Sequence, residues 1–271
     1  MIILHTLFEK RNLIRELVLK DLKMRYSRST LGFIWTFLSP FLTVAVFYMV
    51  FSLILKVKIT EAPFVFYLMS AVFTWRYFQD SLICSTTSLV DNKNLIRESN
   101  FPHYLIPFSI VLTNFIIFLP ASLILVITSL ILKRITIYLI FLPVVMAIHS
   151  AIILGLSVML SIFYVRWRDL KYVLEVVLLL LFYLTPAFYS LSLVRDSFPY
   201  PLFRIYLFNP LTAMLNLYRI TLVKGFNDVI QNDMSFAFLI LLSAIFAFVV
   251  LIPAGYLYKK YKNSINDYLA Y

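Results

Sequence analysis

Residues 31–55 run for twenty-five positions without one charged side chain. A bilayer's hydrocarbon core is crossed by roughly 20 apolar residues of helix. Inside it, every backbone N–H and C=O must be satisfied within the structure itself, so such a run is held as a helix. Four further stretches are nearly as apolar. The chain as a whole is 62% hydrophobic and 14% charged, with a mean hydropathy of +0.91. A soluble domain carries about a quarter charged residues. The fold class is therefore an all-α polytopic membrane protein.

The apolar pattern predicts six transmembrane helices, at 31–55, 63–90, 106–132, 137–165, 172–194 and 235–258. Together they make a transmembrane domain over 31–258. Residues 1–30 precede it and 259–271 form a tail. The second span contains Arg76 and Asp80, four positions apart on one helix face and able to pair. Residues 195–232 are semi-apolar and hold Pro201, Pro210, Arg204, Arg219 and Asn209. Prolines and arginines argue against one straight lipid-facing helix there. Short re-entrant helices between spans five and six fit better, with a seventh span as the competitor.

Positive charge orients the bundle. With six spans, the amino terminus, the second and fourth loops and the carboxyl terminus share one side. That side has fifteen Lys and Arg against eight on the other. Both termini are expected in the cytoplasm; a seventh span would strand Lys259, Lys260 and Lys262 outside. Within 1–30, Leu13, Ile14, Leu17 and Val18 recur at helical spacing among basic residues, which reads as an interfacial amphipathic helix. Met1–Phe8 is too short for the apolar core of a secretory signal, so no cleaved leader is expected. The net charge of +11 suits anionic membrane lipids and calls for no nucleic acid.

Several functions are excluded by counting. The four glycines, Gly32, Gly155, Gly225 and Gly255, are too far apart for a phosphate-binding Walker loop or a dinucleotide fingerprint. The chain therefore cannot bind ATP through such a loop. Cys84 is alone, and His5, His103 and His149 are scattered, so neither a disulfide nor a metal site is expected. Intramembrane acids are too few for an ion-coupled carrier's relay. A membrane-embedded glycosyl- or acyltransferase would need an acid–base pair, for which His149 and Asp80 are the only buried candidates.

Aromatic rings are abundant instead: 26 Phe, 18 Tyr and 3 Trp. Sugars present apolar C–H faces edged by hydroxyls, and aromatic walls with tyrosine hydroxyls at their rim suit them. Phe47, Tyr48, Phe51, Tyr183 and Tyr189 are the candidate lining of a glycan channel. One polar island, 91–108, reads DNKNLIRESNFPHYLIPF between apolar walls.

Four blocks carry a family resemblance: LVLKDLKMRYSRSTLGFIWTFLSP at 17–40, NLIRESNFPHYLIPF at 94–108, VRWRDLKYVLEVVLLLLFYLTPAFYS at 165–190 and NPLTAMLNLYRITL at 209–222. In this order they resemble the ABC-2 permeases of polysaccharide export, which serve O-antigen, capsule and teichoic acid, and among these most the lipopolysaccharide O-antigen exporters. The resemblance implies a homodimer of six-span subunits in a bacterial inner membrane, with a central channel. It implies two copies of a separate cytoplasmic ATPase that hold ATP and magnesium, with no cofactor in this chain. It implies a glycan substrate carried on a polyprenyl diphosphate. An exporter of drugs or lipids with the same architecture is the alternative.

The resemblance also assigns roles. Asn94, Leu95, Ile96, Arg97, Glu98, Phe101, Pro102 and His103 would form the coupling helix against the ATPase, with Leu95, Ile96 and Phe101 as anchors and Arg97 and Glu98 pairing across the interface. Arg25, Arg28, Arg166 and Arg168 are candidates for the diphosphate, because arginine matches phosphate geometry. Asn209, Pro210 and Arg219 would belong to an outer gate.

Overall fold

The computed structural model describes residues 10–26, 34–57, 59, 62–97, 101–230 and 234–270, and they fold as helices joined by short turns. In chain order these are α1 (Arg11–Tyr26), α2 (Ile34–Phe47), α3 (Phe64–Asp91), α4 (Lys93–Arg97), α5 (Leu105–Ile131), α6 (Leu142–Arg166), α7 (Leu170–Leu184), α8 (Leu191–Ser197), α9 (Tyr200–Leu207), α10 (Pro210–Leu222), α11 (Phe226–Ile230) and α12 (Phe236–Ala270). A π-helix, Tyr48–Ile54, extends α2, and a 3₁₀ turn, Ile137–Phe141, leads into α6.

Local chemistry sets the boundaries. Pro63 stands immediately before α3 and fixes an extended entry. Asn209 caps α10: its side-chain oxygen accepts from the Leu211 N–H at 3.0 Å, and Pro210 at the first turn has no N–H to satisfy. Ser190 caps α8 in the same way, through the Leu193 N–H. Helix α7 stops at Leu184 because Pro186 removes the next ladder donor and pushes Thr185 to extended backbone. The fifth apolar stretch, expected as one helix to 194, is thus two helices with a turn between. At the carboxyl end the reverse holds, and α12 runs past 258 to Ala270.

Among the described residues, four helices are long and apolar enough to cross a membrane: Ile34–Ile54, Leu105–Ile131, Ile137–Arg166 and Phe236–Lys262. The protein is an integral membrane protein built on them. Helix α3 is long enough too, at 28 residues, but its serines, threonines, Arg76 and Asp80 make it less apolar. Polarity there matches position: residues 66–75 are buried without interruption, and α3 packs against α2, α5, α6, α7 and α10.

The most extensive packing joins α6 to α12. Gly155 makes it possible, since a Cβ at that position would sit 2.7 Å from Val250 Cγ1 and 3.1 Å from the Leu251 backbone nitrogen. Small residues let membrane helices approach this closely. Helix α10 fills the space beside α3, α6 and α12, with every residue from Thr212 to Leu222 buried.

Two apolar clusters result. The larger runs along the bundle. The smaller lies at one end and joins Ile14, Leu17 and Val18 of α1, Leu89 at the end of α3, Ile96, Phe101 and Leu105 around α4, Val165 at the end of α6, and Leu257 and Tyr261 of α12.

Candidate functional site

The polar island folds over that smaller cluster. Asn92 ends α3, donating through Nδ2 to the Ser88 carbonyl at 2.8 Å, and its side-chain oxygen accepts from Lys20 of α1. One turn of helix follows, and Ile96 turns into the cluster with 2% of its surface exposed. Phe101 and His103 are buried beside it, and the Leu105 N–H closes on the Pro102 carbonyl at 2.9 Å to start α5. Tyr104 meets Tyr258 of α12 edge-on at 5.2 Å. The apolar side chains of this element therefore grip their own subunit, tying α1, α3, α5, α6 and α12 at one point. Leu95 is half-buried, Lys93 and Asn94 are exposed, and the Arg97 side chain and Glu98 lie outside the described residues. Nearby on α1, burial pushes the Asp21 carboxyl above its usual range, against the pull of Lys20 and Arg25.

Arg166, Trp167, Arg168 and Asp169 make an exposed basic turn after α6. Arg166 lies over the Trp167 ring at 5.7 Å and Arg168 over Tyr164 at 5.4 Å. Arg25 reaches Asn114 of α5, donating from Nη1 at 2.9 Å; Arg28 lies outside the described residues.

Of the five candidate channel aromatics, four come together around Phe188, a residue outside that candidate set. Phe51 stacks on it at 4.6 Å, Phe47 lies at 5.7 Å, Tyr183 at 5.5 Å and Tyr189 at 5.2 Å. Phe182 continues the array to Trp75 of α3 at 5.3 Å. Tyr48 stands apart and packs on Phe64 at 6.4 Å. Phe188 is brought in by the break after α7, and the Thr185–Pro186 dipeptide was the available signal for it.

Arg219 holds that break in place. It is fully buried, donates from Nη2 to the Ala187 carbonyl at 3.1 Å, and lies 3.5 Å over the Tyr67 ring. Tyr67 in turn donates its hydroxyl to the Tyr189 carbonyl at 2.9 Å. Tyr189 and Tyr206 share a hydroxyl contact at 3.1 Å. Residues of α3 and α10 thus pin the α7–α8 turn from two sides. Asn209 and Pro210 serve at the start of α10 as its cap.

The groups an enzyme would use are engaged elsewhere. His149 is enclosed by Tyr77, Phe78 and Tyr218 and shares a hydrogen bond with the Tyr218 hydroxyl at 3.3 Å. Asp80 faces Arg76 at 3.7 Å, the pairing expected from their spacing. Among the described residues, His, Cys, Asp and Glu form no group able to hold a metal.

The long apolar helices, with an aromatic array and a polar element clamped to one end, define a polytopic membrane protein. The chain belongs to the ABC-2 type transporter family, whose profile matches residues 12–223, from α1 through α10. It is 31% identical over 216 residues to the O-antigen export system permease protein RfbA of Myxococcus xanthus, covering 79% of this chain and 81% of that one. It is 28% identical over 209 residues to an O-antigen export system permease protein RfbA of Klebsiella pneumoniae, with 76% and 78% covered, and 26% identical over 208 residues to a second from that organism.

Proposed function

We propose that this chain is the membrane subunit of an ATP-driven exporter that carries a lipid-linked polysaccharide, of O-antigen type, from the cytoplasm to the outer face of a bacterial inner membrane. The observation that carries the reading is the similarity to O-antigen export permeases along about four-fifths of the chain. Two such subunits enclose the channel. Two copies of an ATPase hold ATP and magnesium on the cytoplasmic side, and the chain itself holds no cofactor.

Six spans follow, with α3 as the second and α7 continued by α8 as the fifth. The smaller cluster supports this count. It gathers the amino-terminal helix, the turn after α3, the end of α6 and the end of α12 at one end of the bundle. An even number of crossings lies between each pair of these segments only if 195–232 does not cross. Helices α8 to α11 are then the re-entrant and gate elements, and both termini are cytoplasmic. Arg25, Arg166 and Arg168 face the headgroup region, where the diphosphate of the carrier would sit.

The α4 element is the coupling helix. Because Ile96 and Phe101 are buried in their own subunit, exposed Lys93 and Asn94 meet the ATPase, and the buried pair passes its motion to five helices. Deleting the gene should remove glycan from the cell surface and leave lipid-linked glycan inside. Lys93→Glu combined with Asn94→Ala should leave membrane insertion intact but uncouple ATP hydrolysis from export. Surface glycan unchanged in the deletion strain, or an ATPase that does not co-purify with the wild-type chain, overturns the reading.

A further inference from the structure

The first membrane-crossing segment changes geometry partway along. Ile34–Phe47 is α-helical, and Tyr48–Ile54, with the sequence YMVFSLI, continues it as a π-helix of seven residues. The wider turn shows in the bonds that close it. The Leu55 N–H donates to the Val50 carbonyl at 2.9 Å, five residues back, and the Val57 N–H to the Phe51 carbonyl at 2.8 Å, six back. Lys56 between them takes a left-handed φ of 53°, uncommon for a residue with a side chain. A π-helix is rare, occurs mostly as a single turn inside an α-helix, and is frequently found at a functional site. Nothing in YMVFSLI calls for one: the stretch holds neither glycine nor proline, and its residues are tolerated in an α-helix.

The cause lies in packing. Phe51 stacks on Phe188 at 4.6 Å, and Phe47 lies 5.7 Å from the same ring. Phe188 belongs to the turn that Arg219 and Tyr67 pin to the scaffold, so Phe51 adjusts to it and not the reverse. The other end of the span is held as well. Arg76 of α3 donates to the Ser39 hydroxyl, and Phe41 meets Phe73 edge-on at 5.2 Å. Both ends are anchored, and the π turn takes up the mismatch between them. Hydrogen bonds of an α-helix close after four residues rather than five, so it turns further with each residue. A change from π to α would rotate the chain beyond Phe47 about its own axis and carry Phe51 off Phe188. In hydrocarbon every backbone group must stay paired. This change meets that demand, because each bond to the fifth residue is replaced by one to the fourth. The surroundings permit rotation: only 6% of the most apolar stretch is buried, and Met49, Leu53 and Ile54 are exposed.

We propose that Tyr48–Ile54 is a two-position switch. It is a π-helix while Phe51 is stacked on Phe188, and it becomes α-helical when that ring leaves, turning the far end of the first span. The proposal rests on the export reading for its purpose. With the aromatic array as channel wall, parting Phe51 from Phe188 opens a path between the first span and the α7–α8 turn. Phe47, in the α-helical part and stacked on Phe182 at 5.8 Å, stays behind as the fixed side of that path.

Electron cryo-microscopy of the full-length permease, purified with its ATPase in lipid nanodiscs, reads the backbone directly. The wild type without nucleotide should show the π turn with Phe51 on Phe188. Phe51→Leu and, separately, Phe188→Leu remove the stack from either side while keeping an apolar side chain. Both should show residues 48–54 as α-helix. A π turn that persists in either variant overturns the proposal, because the stack would then not set it. Deleting Met49, which is 56% exposed and outside the array, takes out the surplus residue and lets an unbroken α-helix keep Phe47 and Phe51 in place. The deletion should leave the melting temperature unchanged or raised. It should still lower surface glycan about tenfold at equal protein level, since an opening step that cannot occur limits every later one. Normal export by that variant, or a clear fall in its melting temperature, makes the π turn a fixed adaptor and overturns the switch. The backbone comparison involves no transport, so it can fail with the export reading intact and stands if that reading falls.

Discussion

Helices α2 and α6 are both apolar enough to cross a membrane, yet they are packed very differently. In α6 39% of the most apolar stretch is buried by the rest of the chain, and in α2, with its π-helical extension, 6%. Helix α7 resembles α2: only Leu174, Leu178 and Phe182 are buried, one per turn along a single face. The difference separates a scaffold from an uncovered surface. Helices α3, α6, α10 and α12 are held by side chains of the same subunit. Helices α2 and α7 present apolar faces that lipid, a second subunit or a passing substrate must cover. The aromatic array sits where these two thinly held helices meet the scaffold.

The scaffold is broken most severely at Gly155. There a Cβ would clash with Val250 Cγ1 at 2.7 Å and crowd the backbone behind it at 3.1 Å, and backbone gives way less readily than a side-chain tip. Gly155→Ala should cost about 1–3 kcal/mol by overpacking, and Gly155→Leu should leave little folded permease in the membrane. Thermal unfolding of the detergent-purified protein measures both. Normal yield and melting of the leucine variant would mean that α6 and α12 do not meet as closely as described.

Arg219 joins the two regions, so its loss should be felt in both. A desolvated cation–π contact contributes about 2 kcal/mol, and a hydrogen bond from a charged group about 1.5–3 kcal/mol. Arg219→Ala should destabilise by about 2–3 kcal/mol, since the cost of burying the charge is also removed. Arg219→Lys keeps the charge but not the planar fork. It should hold more of the stability than alanine, yet still loosen the α7–α8 turn and lower export. If lysine and alanine prove equivalent in both melting and export, the cation does not pin that turn.

Reading the sequence reaches far where one residue's chemistry acts alone. The charge-free runs and the Arg76–Asp80 spacing are local, and each reappears in the structure. A helix is there too over Arg11–Tyr26, where the amphipathic one was expected. What sequence could not supply is direction around a helix axis. Leu95, Ile96 and Phe101 carry no mark saying whether they face an ATPase or their own bundle, and Ile96 and Phe101 turn inward. The hub role of Phe188 depends on a turn held by Arg219 and Tyr67, residues 31 and 121 positions away in the sequence. Arg25 meets Asn114 and Arg76 meets Ser39 only once α1, α2, α3 and α5 are brought together, so Asn114 and Ser39 read as ordinary span residues until they are.

The uncovered surface itself can be probed with two tyrosines that sequence could not tell apart. Tyr183 joins the ring around Phe188 and is 48% exposed, whereas Tyr48 turns aside to Phe64. Replacing an exposed tyrosine by leucine should change stability by less than about 0.5 kcal/mol. If the array is where sugars slide, Tyr183→Leu should reduce surface glycan several-fold at unchanged protein level, and Tyr48→Leu should reduce it less. Surface glycan quantified in cells expressing each variant decides the order. Equal effects would mean that contact with Phe188 does not mark the channel wall. A larger loss from Tyr48→Leu would move the conduit away from Phe188, to the side where Tyr48 meets Phe64.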